Sequence, residues 1–272
     1  AVAFGSDITQ GNFDISVDKK KLVAKGDGTV AGIPLKLTWT KNFTDETALR
    51  TRYQVQAILD DDDRKNLGLA ANPYLTGPIG VGLIYEIAVD GAAQGAANLN
   101  LANATMSLSE FGWQKLPGRI AAARVEFASW DGVLSEISKF AINAPELTVN
   151  GSATLIGGDN ELKVSVLNLE RIVLGETDVS LRAVFRDDGV PDIVIGGNKL
   201  DLRLLVKDVF ANGNGGLPAM RVRFNTADPV RSIQLGDETV LLHPTGWLAH
   251  DGEDWAAIDL LGKLSNGGKV DL

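Results

Sequence analysis

Two-residue alternation of apolar and polar side chains, broken by short glycine-bearing turns, runs through most of this chain. Successive side chains of a strand point to opposite faces, so such a run reads as a half-buried strand and not as an amphipathic helix. Leu35, Leu37 and Trp39 alternate with Lys36, Thr38 and Thr40, and Tyr53, Val55, Ala57 and Leu59 follow the same rule. So do Val81, Leu83, Tyr85, Ile87 and Val89, then Val125 and Phe127, then Leu162, Val164 and Val166. Val179, Leu181 and Ala183 continue the pattern, followed by Leu200, Leu202 and Leu204, and by Met220, Val222 and Phe224. Between the runs stand Asp27-Gly28, Asp90-Gly91, Asp131-Gly132, Asn150-Gly151, Asp188-Gly189 and Asp251-Gly252. Asn or Asp before Gly supplies the positive φ of a tight hairpin turn, and Asn150-Gly151 also suits a bulge. Connections this short favour antiparallel meanders over crossovers.

One segment reads as a helix. Asp60 to Asp63 put acidic residues where the helix dipole favours them, and Gly68 stops the segment after about two turns. A weak internal repeat aligns Lys21–Val30 with Glu146–Leu155 without gaps, each turning through glycine, which implies a stacked sheet of repeated hairpins. With one apolar face and almost no helix to cover it, the sheet must pack on a second sheet, close into a barrel, or curl into a trough. The pattern does not choose among these.

The chemistry-bearing residues are sparse. The chain has no cysteine, which removes disulfides, thiolate metal sites and cysteine nucleophiles. Its two histidines, His243 and His250, lie near Trp247 in a loop-strand region and read as surface or hairpin residues. The Asp60–Asp63 run lacks the ligand spacing of a calcium loop and is read as a helix cap. Asn212-Gly213-Asn214-Gly215-Gly216 lacks the Lys-Ser/Thr ending of a phosphate loop and reads as a connection. A formal net charge of −9 opposes nucleic-acid binding, and Lys19-Lys20-Lys21 reads as a solvated hairpin turn. No pair of carboxylates is singled out for acid–base work, so a polysaccharide hydrolase ranks last and a non-enzyme is expected. The start lacks the pattern of a targeting segment, and Gly267–Leu272 reads as a strand just beginning, so the chain is expected to be a piece of a longer protein.

Several stretches share a resemblance when taken in order. They are Thr29–Trp39, the acidic-capped helix at Asp61–Gly68 with Pro73–Pro78, Gly112-Trp113-Gln114-Lys115, Leu174–Asp178 and Leu200–Leu205. Together they resemble the central and C-terminal regions of AsmA-like envelope proteins, in particular the YhdP-type branch, over about Gly11 to Leu272. The resemblance implies an all-β fold: an elongated, twisted, mostly antiparallel sheet of repeated hairpins curled into a groove, with one short helix near 61–68. Residues 1–210 would form the repeat groove and 211–272 its continuation. It implies a periplasmic protein of Gram-negative bacteria, anchored in the inner membrane through the rest of a longer chain, that moves phospholipid toward the outer membrane with no cofactor. Leu35, Leu37, Val55, Leu83, Tyr85, Ile87, Val125, Phe127, Val164, Val166, Leu181, Leu202, Val222 and Phe224 would line the trough. The same strands would equally serve a structural or interaction spacer with a closed, dry core and no ligand.

Overall fold

The computed structural model describes residues 2–3, 6–44, 48–69, 73–158, 161–186, 188–212 and 218–272. The chain is nearly all β, mostly antiparallel, and built of successive hairpins in curved sheet. It divides into two compact units. The first comprises Ala1–Ser107, Gln114–Pro145 and Gly157–Leu162; the second comprises Leu108–Trp113, Glu146–Ile156 and Lys163–Leu272.

The first unit holds β1 (Val2–Ala3), β2 (Ser6–Val17), β3 (Lys21–Val30), β4 (Ile33–Asn42), β5 (Leu49–Leu59), α1 (Asp61–Asn66), β6 (Leu75–Thr76), β7 (Ile79–Ala88), β8 (Ala92–Asn100), most of β9 (Thr105–Leu108) and β10 (Trp113–Lys115), β11 (Ala122–Trp130) and β12 (Val133–Ala144). Its sheet is an antiparallel meander in the order β2-β3-β4-β5-β7-β8-β11-β12. Turns form where the backbone takes positive φ: Ala31-Gly32 between β3 and β4, and Asp131-Gly132 between β11 and β12. Asp27-Gly28 is no turn. Both residues lie inside β3, and Asn150-Gly151 likewise lies inside the strand that opens the second unit. In β3, Gly26 is required by closeness: a Cβ there would sit 1.9 Å from the Asn12 carbonyl oxygen, on the bulged stretch of β2.

α1 is the acidic-capped helix read from the sequence. Asp60 is its N-cap and exchanges reciprocal hydrogen bonds with Asp63, a capping box. Arg64 projects from α1 into a buried position, donating to the carbonyls of Leu59 (3.2 Å) and Gly77 (2.8 Å) and pairing with Asp61. This ties the helix to the loop ahead of β7. A small sheet of β6, β9 and β10 stands beside it. From β10, the buried Lys115 donates its Nζ protons to the carbonyls of Leu101, Ala102 and Ala104.

The second unit holds most of β13 (Leu147–Gly158) and β14 (Glu161–Leu174), then β15 (Thr177–Val184), β16 (Asp192–Asp201), α2 (Arg203–Asn212), β17 (Met220–Phe224), β18 (Ser232–Gln234), β19 (Val240–His250), β20 (Trp255–Leu264) and β21 (Lys269–Asp271). The meander is interrupted once. β16 pairs in parallel with β17 and, near its end, with β18, and α2 is the crossover that parallel pairing requires. The alternation Leu200, Leu202, Leu204 therefore misleads: the strand ends at Asp201 and a helix begins at Arg203. Asp201, two residues ahead of the helix's first residue, accepts the Arg203 N–H at 3.1 Å and a bidentate bond from its guanidinium. The Asn212–Gly216 connection lies largely outside the described residues. Val179, Leu200, Phe224, Val230, Ile233 and Leu241 form a closed core in this unit, with Ile195 and Leu202 packed against it.

Candidate functional site: an apolar face ranked across the strands

In antiparallel pairing, directly opposed residues share a face, so the register decides which side chains meet. In the first unit it lines them up in transverse ranks. One rank reads Phe13, Gly26, Leu37, Val55, Leu83, Ala97, Val125 and Phe140. On one side of it runs Ile15, Ala24, Trp39, Tyr53, Tyr85, Gly95 and Phe127. On the other runs Gly28, Leu35, Ala57, Val81, Leu99, Ala123 and Ile142. Three neighbouring ranks thus carry no charge and, apart from the phenol hydroxyls and indole nitrogen, no polar atom. The rank of Ile87 marks the border, for it also holds Lys41, Thr51 and Ser129.

The aromatic rank has internal order. Trp39 stacks on Tyr53 with centroids 6.3 Å apart, and Tyr85 stacks on Phe127 at 6.1 Å. The second stack depends on a gap in the strand between them, since a Cβ on Gly95 would lie 2.1 Å from the Phe127 ring. The Tyr85 hydroxyl meets Ser129 Oγ at 2.8 Å, at the polar border. Burial, with a smaller contribution from Tyr85, raises the Tyr53 hydroxyl above its usual value. The Trp39 indole nitrogen is buried with no hydrogen-bond partner.

The opposite face of the same strands is polar. Asp14, Lys25, Thr38, Gln54, Ile84, Ala96 and Glu126 share one rank there, in which Ile84 and Ala96 are the apolar members, and Asn12, Asp27, Lys36, Gln56, Gly82, Asn98 and Arg124 form the next. An open cleft of about 600 Å³ lies against this polar side, bordered by Lys25, Lys36, Gln54 and Asn98. On the apolar side burial is graded. Leu37 and Val55 are 3% and 8% exposed, while Leu35, Leu83, Tyr85, Ile87, Val125 and Phe127 are half-buried.

The register brings Leu35, Leu37, Val55, Leu83, Tyr85, Val125 and Phe127 onto one face, with Ile87 at its border. It separates the remainder. In the second unit, Leu181 shares a rank with Leu169, Ile195 and Phe224, and Val222 shares the next with Ala183, Ile193 and Leu248. Val166 pairs with Val184, whose rank continues to Asp192 and Arg221, so Val166 and Val164 project from the opposite, polar face. Phe224, 4% exposed, sits inside the closed core, and Leu202 follows the last strand residue and packs against that core. Those two cannot line an open trough. Period-2 alternation tells which residues share a face of one strand but not which face of the next strand they join, so the alternation at Val164 and Val166 does not place them with Leu181 and Val222. Trp39, Phe13, Val81 and Leu99 belong to the apolar face without having been singled out. The signal for the stacked aromatics was a glycine inside a strand, at Gly95, facing a ring. His250, read as a surface or hairpin residue, is buried and serves the hairpin: its Nδ1 accepts the Gly252 N–H at 3.1 Å, closing the turn at 251–254.

Compared with known proteins, the chain matches no family model, no curated protein and no solved structure.

Proposed function

We propose that the first unit is a non-catalytic lipid-conducting segment that shields phospholipid acyl chains along its apolar face. The observation that carries this reading is the continuity of the three apolar ranks. The central rank crosses eight strands, a path of about 34 Å at the usual strand spacing. Moving an acyl chain through water costs about 0.8 kcal/mol per methylene, so a 16-carbon chain needs about 12 kcal/mol of shielding. A half-buried apolar strip of this length supplies such shielding with no reactive group and no cofactor, and the headgroup stays in water. In this reading, and on the resemblance to AsmA-like proteins, the chain works in the periplasm within a longer, inner-membrane-anchored protein.

A specific observation favours a second role for the other unit. Its core around Phe224, Val230 and Leu241 is filled by its own side chains, which suits a structural spacer. The test is mass spectrometry of organic extracts from the purified chain, beside its Leu83→Glu variant. The conducting role predicts copurified phospholipid that the variant loses while its far-ultraviolet circular dichroism is kept. Lipid-free wild-type protein would leave the spacer as the reading for both units.

A further inference from the structure

The polar face of the second unit gathers cations in a chain of net charge −9. One rank across β15, β16, β17 and β19 reads Arg182, Val194, Arg223 and Trp247, and the next reads Val184, Asp192, Arg221 and Ala249. With Arg186, these residues other than Ala249 line an open cleft of about 450 Å³. Two of its arginines are committed. Arg186 pairs with Asp192, and Arg221 pairs with Asp188 at 3.0 Å and with Asp192 at 3.5 Å. Arg182 and Arg223 are exposed and have no carboxylate at ion-pair distance among the described residues.

The geometry points to a binding site for a phosphate ester between Arg182 and Arg223. The two arginines lie two strands apart, about 9.6 Å at the backbone, on either side of the small apolar Val194. Planar guanidinium forks approaching from two sides suit a tetrahedral oxyanion, which has oxygens for both. A carboxylate is satisfied by one fork. Trp247, the neighbour of Arg223 in the rank and 40% exposed, offers an indole plate for the carbon part of the ester. Asp259 follows Trp247 in the same rank, and the residues lining the cleft end at Trp247 on that side. The phosphate has two possible sources, a lipid headgroup or a free phosphate. The site stands independently of the lipid reading for the first unit, whose face could fail to hold lipid without affecting this cleft.

Isothermal titration of the full chain with inorganic phosphate, and with dihexanoyl phosphatidic acid below its micelle concentration, tests it. Both probes are expected to bind saturably and compete, and Arg182→Gln and Arg223→Gln are each expected to weaken both by roughly tenfold. Arg182→Lys, which keeps the charge and loses the fork, falls between. Tighter binding of the phosphatidate, lost in Trp247→Ala, identifies an amphiphile as the ligand; equal binding identifies free phosphate. Circular dichroism checks that these exposed substitutions leave the fold intact. Absence of saturable binding by either probe, or binding unchanged in both glutamine variants, overturns the site. Copurified lipid is scored separately, through Leu83→Glu, so the two readings fail independently.

Discussion

Lys115→Met isolates the contribution of a buried cation that has no counter-charge at ion-pair distance among the described residues. Lys115 is 1% exposed, and its ammonium donates to three carbonyls, at 3.0 Å to Ala102 and 2.7 Å to Ala104, with Leu101 the third. Methionine keeps most of the stem and removes every donor. The Leu101 carbonyl would retain the Ala104 N–H, and that of Ala102 the Gly118 N–H. The Ala104 carbonyl, in a residue with no exposure, accepts nothing else among the described residues. Orphaning one such group costs about 1–3 kcal/mol, and two weakened charge-assisted bonds add to it, while relief of the lysine's own desolvation subtracts. A net loss of about 2 kcal/mol is expected. Urea unfolding checks it, with an unchanged slope marking a true stability change. The pH dependence supplies a second readout. Burial lowers the Lys115 pKa below its ordinary 10.5. The unfolded chain therefore binds more protons in the interval just under that value, so wild-type stability rises with pH there. The methionine variant lacks this rise. A variant within about 0.5 kcal/mol of wild type, which is the usual range for inconsequential substitutions, or more stable than it, would refute the view that Lys115 fastens the 101–104 loop.

Two further predictions concern other parts of the fold. Gly26→Ala forces a Cβ against the Asn12 backbone, whereas Gly95→Ala meets a ring that can swing; thermal unfolding should place Gly26→Ala as the more destabilised, with Gly95→Ala costing about 1–3 kcal/mol and reducing near-ultraviolet signal from the Tyr85–Phe127 stack. The bidentate bond from Arg203 holds the Asp201 carboxyl below its ordinary 3.8. Its contribution is complete above that value and is lost as pH falls through the lowered one, so acid unfolding of Asp201→Asn should show a shallower pH dependence in that range, and equal slopes would remove the Asp201–Arg203 pair from the account.

Much of the fold was legible because a strand's period is short and local. Alternation such as Leu35-Lys36-Leu37-Thr38-Trp39 needs only the residue itself and its neighbours. The acidic cap of α1 was legible for the same reason, since Asp60 and Asp63 satisfy each other across three residues. Turns were read less well. Asp27-Gly28 has the composition of a hairpin, yet its glycine permits close approach to β2 within a strand, and the neighbouring Ala31-Gly32 makes the turn. α2 escaped notice because Leu200, Leu202 and Leu204 also alternate, and a crossover is dictated by the parallel pairing of β16 with β17, a distant partner.

The order of residues along the chain by itself determined that this protein is built of hairpins, each with one apolar and one polar side, because that follows from contacts within a few residues. Register between strands was decided by tertiary structure alone. Pairing joined Leu37, Val55, Leu83 and Val125 into one rank, set Val166 on the side of Asp192, and placed Arg182 two strands from Arg223. A shift of one residue in any ladder would exchange the two faces, and the energy that forbids it comes from many side chains packed at once.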